Sequence, residues 1–182
     1  MRRVSVLLLA FSVVLMAACS QSPAAPSRSI GAAAPVTAAV SHEQAVPISG
    51  MVEGEVTYAT PIAACGMRVP ITISSTGTVS HMGDVVFSAQ HCLRMMDGSI
   101  QSVQLVITAA NGDQLRGSYV GSAVMAPVGG INEATATITF NGGTGRFADA
   151  RGTALMTGQV RNDGMEDPSW PCQWQFEGTI IY

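Results

Sequence analysis

Between Glu133 and Phe140 the chain alternates without a break. Ala134, Ala136, Ile138 and Phe140 fall on one face, and Glu133, Thr135, Thr137 and Thr139 on the other. A helix, with its period of 3.6, scatters such a set around its axis, whereas a strand gathers it on one side. The last run repeats the pattern, with Cys172, Trp174, Phe176, Ile180 and Tyr182 opposing Gln173, Gln175, Glu177 and Thr179. Eight runs of this kind are read near 51–59, 68–79, 84–92, 100–109, 114–124, 131–140, 151–161 and 171–182. Short turns join them, and Asn111-Gly112 is a strong two-residue hairpin signal. Sequential hairpins of even number, with an apolar face on both the first and the last strand, predict an all-β, eight-stranded antiparallel up-and-down β-barrel over 50–182. An open sandwich is the alternative. A membrane-spanning barrel does not fit, because the outward positions carry Thr, Gln, Glu and Arg.

The chain begins differently. Arg2-Arg3 precede an uncharged apolar run, Val4 to Ala18, which falls short of the roughly 20 residues that span a bilayer as a helix. The run closes on Leu15-Met16-Ala17-Ala18-Cys19, which resembles a lipobox, with methionine where leucine is usual. The resemblance implies a signal peptide over 1–18 and a lipidated Cys19, and hence a membrane partner through the acyl anchor. Ser20 follows where aspartate would hold a lipoprotein at the inner membrane, so the outer membrane is the expected location. An ordinary secretory signal with an incidental cysteine is the alternative. Residues 19–49 are rich in Ala, Pro and Ser and read as a disordered tether, in which His42 and Glu43 are solvated bystanders.

Every basic residue is arginine; the chain has no lysine. That removes a Walker lysine, a Schiff-base lysine and a Ser–Lys nucleophile pair together. Without Arg2 and Arg3, the remaining arginines are outnumbered by acids and form no cluster, so nucleic acid is not an expected partner.

Asn141-Gly142-Gly143-Thr144-Gly145-Arg146-Phe147-Ala148-Asp149-Ala150-Arg151-Gly152 resembles the GGTGRF signature of allene oxide cyclase-like and dirigent-like barrels. Ser80-His81-Met82-Gly83, Ala109 to Leu115 and the closing Phe176 to Tyr182 resemble bacterial secreted members of that superfamily. The resemblance covers most of 50–182 and implies the barrel fold. The superfamily includes plant cyclases, dirigent proteins that steer radical coupling, and bacterial proteins of unknown role. The plant enzymes' functional side chains have no counterpart in these motifs, so none is carried over. Gly142–Gly145 also looks like a phosphate loop, but strands flank it on both sides, and a turn needing positive φ is the better reading.

Cys65, Cys92 and Cys172 remain in the mature domain, all at strand ends that fall on one rim. Disulfide formation is the default in an exported chain. Strand adjacency admits Cys65–Cys92 and also Cys65–Cys172, since the first strand adjoins the eighth on closure. Bacterial relatives pair a cysteine here with a His-Cys like His91-Cys92, and this resemblance implies Cys65–Cys92, with Cys172 free or packed against Trp174. A Cys₃His zinc site is disfavoured because His91 and Cys92 point to opposite faces of a strand. No metal and no cofactor is expected.

His91 shares the inward parity of Val85, Phe87 and Ala89, close to the cysteine rim. Tyr58 and Tyr119 have inward parity too, so Tyr58, His91, Tyr119 and Trp174 form the expected ligand-binding set. His91 is the sole catalytic candidate, and a hydrogen-bonded structural histidine is its alternative. His81 belongs to a tight turn at the opposite rim. Small inward residues, among them Gly117, Gly121, Ala134, Ala136, Gly152 and Gly158, suggest a ligand-sized apolar cavity, unless Trp174 and Phe176 reach across to fill it. The leading expectation is a binding or scaffold module at the cell envelope, with a small apolar molecule as a possible ligand. A cyclase-like isomerase and a purely structural lipoprotein are the alternatives, and the sequence sets no oligomeric state.

Overall fold

The computed structural model describes residues 44–182 apart from Met165. The expected signal peptide, the expected lipidation site Cys19 and the part of the expected tether up to residue 43 lie outside the described residues. Eight strands follow in order: β1 (Val46–Tyr58), β2 (Val69–Val79), β3 (Gly83–Leu93), β4 (Ser99–Ala109), β5 (Gln114–Val124), β6 (Ile131–Gly143), β7 (Arg151–Arg161) and β8 (Ser169–Ile181). Each pairs antiparallel with the next, and β1 pairs with β8 from Val46↔Ile180 to Thr57↔Ser169. The sheet is therefore a closed up-and-down barrel.

Alternation decides what faces inward. On β6, Ala134, Ala136, Ile138 and Phe140 are buried while the intervening threonines are exposed. The same parity brings Ile48, Val52 and Val56 of β1, Phe87 of β3 and Phe176 of β8 into one core. β1 starts at Val46, four residues before the expected domain boundary at 50. Val46 and Ile48 already follow the inward parity, and the segment assigned to the tether pairs with β8. Pro47 is tolerated because it sits second in the strand with its side chain exposed.

The expected ligand-sized interior is corrected by packing. A Cβ on Gly158 would run into the Trp174 indole, and one on Gly50 into the Phe176 ring. The small residues of one strand are thus the room taken by the large ones of its neighbour. Gly117 is no exception: a Cβ there would lie 2.6 Å from the Thr139 carbonyl oxygen, so a larger residue would press on the backbone and not into a void.

At one rim a 3₁₀ turn, Ala63–Cys65, is bonded to β3 through the Cys65–Cys92 disulfide. Cys92 faces outward from β3 and is buried, whereas Cys172 faces the interior with its Sγ 3.7 Å from Ser75 Oγ. The barrel wall separates them, which is why Cys172 is free. The two half-cystines are 27 residues apart, and closing a loop of that length stabilises a fold by about 3.5 kcal/mol in the chain-entropy account.

At the other rim His81 turns the chain at φ 66°, its Nε2 2.8 Å from the Pro47 carbonyl oxygen. Gly142 and Gly145 take positive φ around the 3₁₀ turn Gly145–Phe147 between β6 and β7, as a turn and not a phosphate loop requires. Phe147 is buried there. Tyr182 lies beyond β8 and against Phe147 at 5.0 Å, half exposed instead of inside as its parity suggested.

Candidate functional site

The site begins with an irregularity in β4. Leu105, Ile107 and Ala109 are buried at odd positions, yet Ile100 is buried at an even one. A strand changes parity only by carrying an extra residue, and the register shifts accordingly on both sides, at Gln90/His91 against β3 and at Gln101/Leu105 against β5. No residue between Ile100 and Leu105 is buried, so β4 leaves a gap in the inner wall. The bulge also breaks the β4–β5 ladder, and Ser102 Oγ repairs it by accepting the Tyr119 backbone N–H at 2.7 Å.

Across that gap two side chains meet from strands that are not neighbours. His91 on β3 and Tyr119 on β5 join Nδ1 to Oη at 2.8 Å, with rings edge to face at 75°. Both are almost fully buried. Burial disfavours charge on either, holding the His91 pKa at about 4 and pushing the Tyr119 hydroxyl well above its usual range. At neutral pH the pair is an uncharged hydrogen-bonded unit.

His91 lines the mouth of the barrel at the disulfide rim. All eight strands contribute to this mouth, from Val56 and Tyr58 on β1 to Trp170 and Trp174 on β8. Its volume is about 50 Å³. A cavity that holds a benzene ring is nearer 150 Å³, and sites that enclose a drug-sized ligand are larger still. The mouth therefore admits the end of a molecule and not the whole of one. No arginine, aspartate or glutamate lines it.

Three of the four expected ligand-binding residues, Tyr58, His91 and Trp174, line the mouth, and Tyr119 stands behind His91 as its partner. Tyr58 packs edge-on against Trp170, with centroids 5.2 Å apart. Trp170 falls outside the run read from 171, yet it belongs to β8 and shares the parity of Cys172 and Trp174. Asn132 was missed as well. It has the parity of Ala134 on β6, is buried, and accepts the Ala126 backbone N–H through Oδ1 at 2.7 Å. Trp170 Nε1–H donates to the Gly164 carbonyl at 3.0 Å. The Cys172 thiol, raised above its ordinary pKa by burial, is no thiolate nucleophile at neutral pH. Among the described residues no three His, Cys, Asp or Glu side chains gather as metal ligands.

No protein-family model matches the chain, and no curated protein matches it.

The buried imidazole makes stability depend on pH. The unfolded chain takes up a proton at His91 below about 6.5, while the folded barrel resists it until about 4. The stability that the neutral imidazole contributes is therefore full above pH 6.5, falls as pH drops through the window to 4, and is gone below it. The loss from this group is about 3 kcal/mol. Urea unfolding of wild type and His91→Gln across pH 7 to 4 checks this: the difference between the two should shrink as pH falls. A difference that stays constant contradicts a depressed His91 pKa.

Proposed function

We propose that the chain is an exported, lipid-anchored binding module, and that its site is the barrel mouth at the disulfide rim, which takes the apolar end of a small molecule. The observation that carries this is the combination found there and nowhere else among the described residues: an apolar opening fed by all eight strands, with a neutral buried histidine in its wall. An apolar recess with one or two polar groups set in it is how proteins hold small organic ligands. The alternative of a cyclase-like isomerase needs a substrate enclosed in the barrel, for which a mouth of about 50 Å³ is small.

Export is supported by Arg2-Arg3, the apolar run and the Ala17-Ala18-Cys19 end, and by a disulfide of the kind oxidising compartments maintain. β1 starts at the rim where Val46 pairs with Ile180 and reaches the mouth at Val56 and Tyr58. The same reading places the barrel with the allene oxide cyclase-like superfamily. Its support is the GGTGRF segment, whose glycines Gly142 and Gly145 take the positive φ that the turn demands.

The chain has two tryptophans, and both line the mouth. Their indole N–H signals in a ¹H–¹⁵N spectrum consequently report on this site. Titration with cyclohexanol should shift both signals saturably in wild type. Ala123→Leu, which fills the mouth from β5, should abolish the shift with the rest of the spectrum preserved. Unmoved indole signals at millimolar cyclohexanol overturn the binding reading. For the anchor, Cys19→Ser should move the protein out of the membrane fraction or leave an unprocessed precursor. Normal processing with unchanged membrane partition contradicts the lipidation of Cys19.

A further inference from the structure

We propose, resting on the binding reading above, that the barrel mouth selects an uncharged ligand bearing a hydrogen-bond acceptor, such as a carbonyl oxygen, and that Nε2–H of His91 is the donor that reads it. The tautomer follows from the partner. Tyr119 is buried on the inner face of β5, and the hydrogen bond of its hydroxyl is to His91 Nδ1. A buried hydroxyl left with its proton unpaired is costly, so the hydroxyl donates and Nδ1 accepts. A neutral imidazole that accepts at Nδ1 carries its proton on Nε2. Tyr119 is thus a positioning residue, fixing by its own hydrogen bond which nitrogen of His91 is the donor.

Nε2 has no hydrogen bond within the protein, and it is not sealed. Among the described residues, the buried side-chain polar atoms without a partner are Ser169 Oγ and Trp174 Nε1. The Trp174 ring lines the mouth, but its Nε1 is itself buried and lies beside the Cys172 thiol, so it does not compete with His91 for a ligand. The imidazole is left as an accessible donor in a largely apolar wall that includes Ile71, Leu93, Ile100 and Trp170, with Tyr58 and Asn132 as its other polar side chains. Charge is excluded on two grounds. No charged side chain lines the mouth to neutralise an ion, and the apolar wall penalises bringing one in. The small volume confines the recognised part to the acceptor and the few carbons around it.

The test uses three probes of similar size on the folded, disulfide-intact protein: cyclopentanone, methylenecyclopentane, which lacks the acceptor, and cyclopentanecarboxylate. Affinities are read from the Trp170 and Trp174 indole signals, and the His91 tautomer from its ring ¹⁵N shifts. Cyclopentanone should bind about fivefold to tenfold tighter than methylenecyclopentane, the range a neutral hydrogen bond supplies. Cyclopentanecarboxylate should bind weakest. His91→Phe should erase the preference for the ketone while keeping binding of the hydrocarbon. Tyr119→Phe should convert a pure Nε2–H tautomer into a mixture without removing the ring. Equal binding of ketone and hydrocarbon, tightest binding of the carboxylate, or a proton found on Nδ1 in wild type would each overturn the assignment while leaving the mouth as a binding site. Failure of all three probes to move the indole signals would instead remove the binding reading on which it rests.

Discussion

The pairing of β1 with β8 is the constraint from which the rest of the molecule follows. It runs from Val46↔Ile180 to Thr57↔Ser169 and converts seven hairpin contacts into a ring without edges. An unclosed sheet of this sequence would present two rows of unpaired backbone groups and leave Val52, Val56, Trp174 and Phe176 half covered. Closure gives all eight inward faces one shared interior, and that interior has a fixed size. Phe176 then occupies the room beside Gly50, and Trp174 the room beside Gly158. The core is solid through most of its length because large and small residues are matched across neighbouring strands.

Function, on this account, is concentrated where the regularity fails. The extra residue in β4 empties the wall between Ile100 and Leu105 and lets His91 and Tyr119 meet across it, while Ser102 repairs the broken ladder. Ser102, the register partner of His91, is the β4 residue between them, and its hydroxyl is engaged by the Tyr119 backbone N–H. Burial then keeps both groups neutral, so the rim carries polarity without charge. The disulfide secures the neighbouring β1–β2 connection to the outside of β3, one residue from His91, and leaves the interior position to Cys172.

Much of this was legible in the residues. The alternation of β6 and β8 carried the strand class, and the parity of each strand in turn placed His91, Tyr58, Tyr119 and Trp174 on the correct side of the wall. What was hidden was hidden for physical reasons. Val46 to Ser49 looked like tether because Pro47 and the Ala-Pro-Ser stretch before it mask a two-residue alternation that only β8 completes. Trp170 was obscured by Pro171, which is tolerated with its side chain exposed. The parity change from Ile100 to Leu105 was visible, but a bulge announces itself only when parity is followed along the whole strand. The cavity was overestimated because small residues were counted strand by strand, and whether a glycine leaves space depends on the side chain across from it. The meeting of His91 with Tyr119 needed both the bulge and the closure, and neither is a local property.

Everything above depends on a closed ring, and amide hydrogen exchange along the seam tests that directly. In a closed barrel the amides of Val52 to Val56 and of Trp174 to Phe176 all have partners, on one neighbour or the other. They should exchange as slowly as those of Ala136 to Phe140 in β6, through global unfolding. Rapid exchange at alternate residues of β1 or β8, with β6 still protected, would mark a free sheet edge and contradict both the packed interior and the mouth built on it.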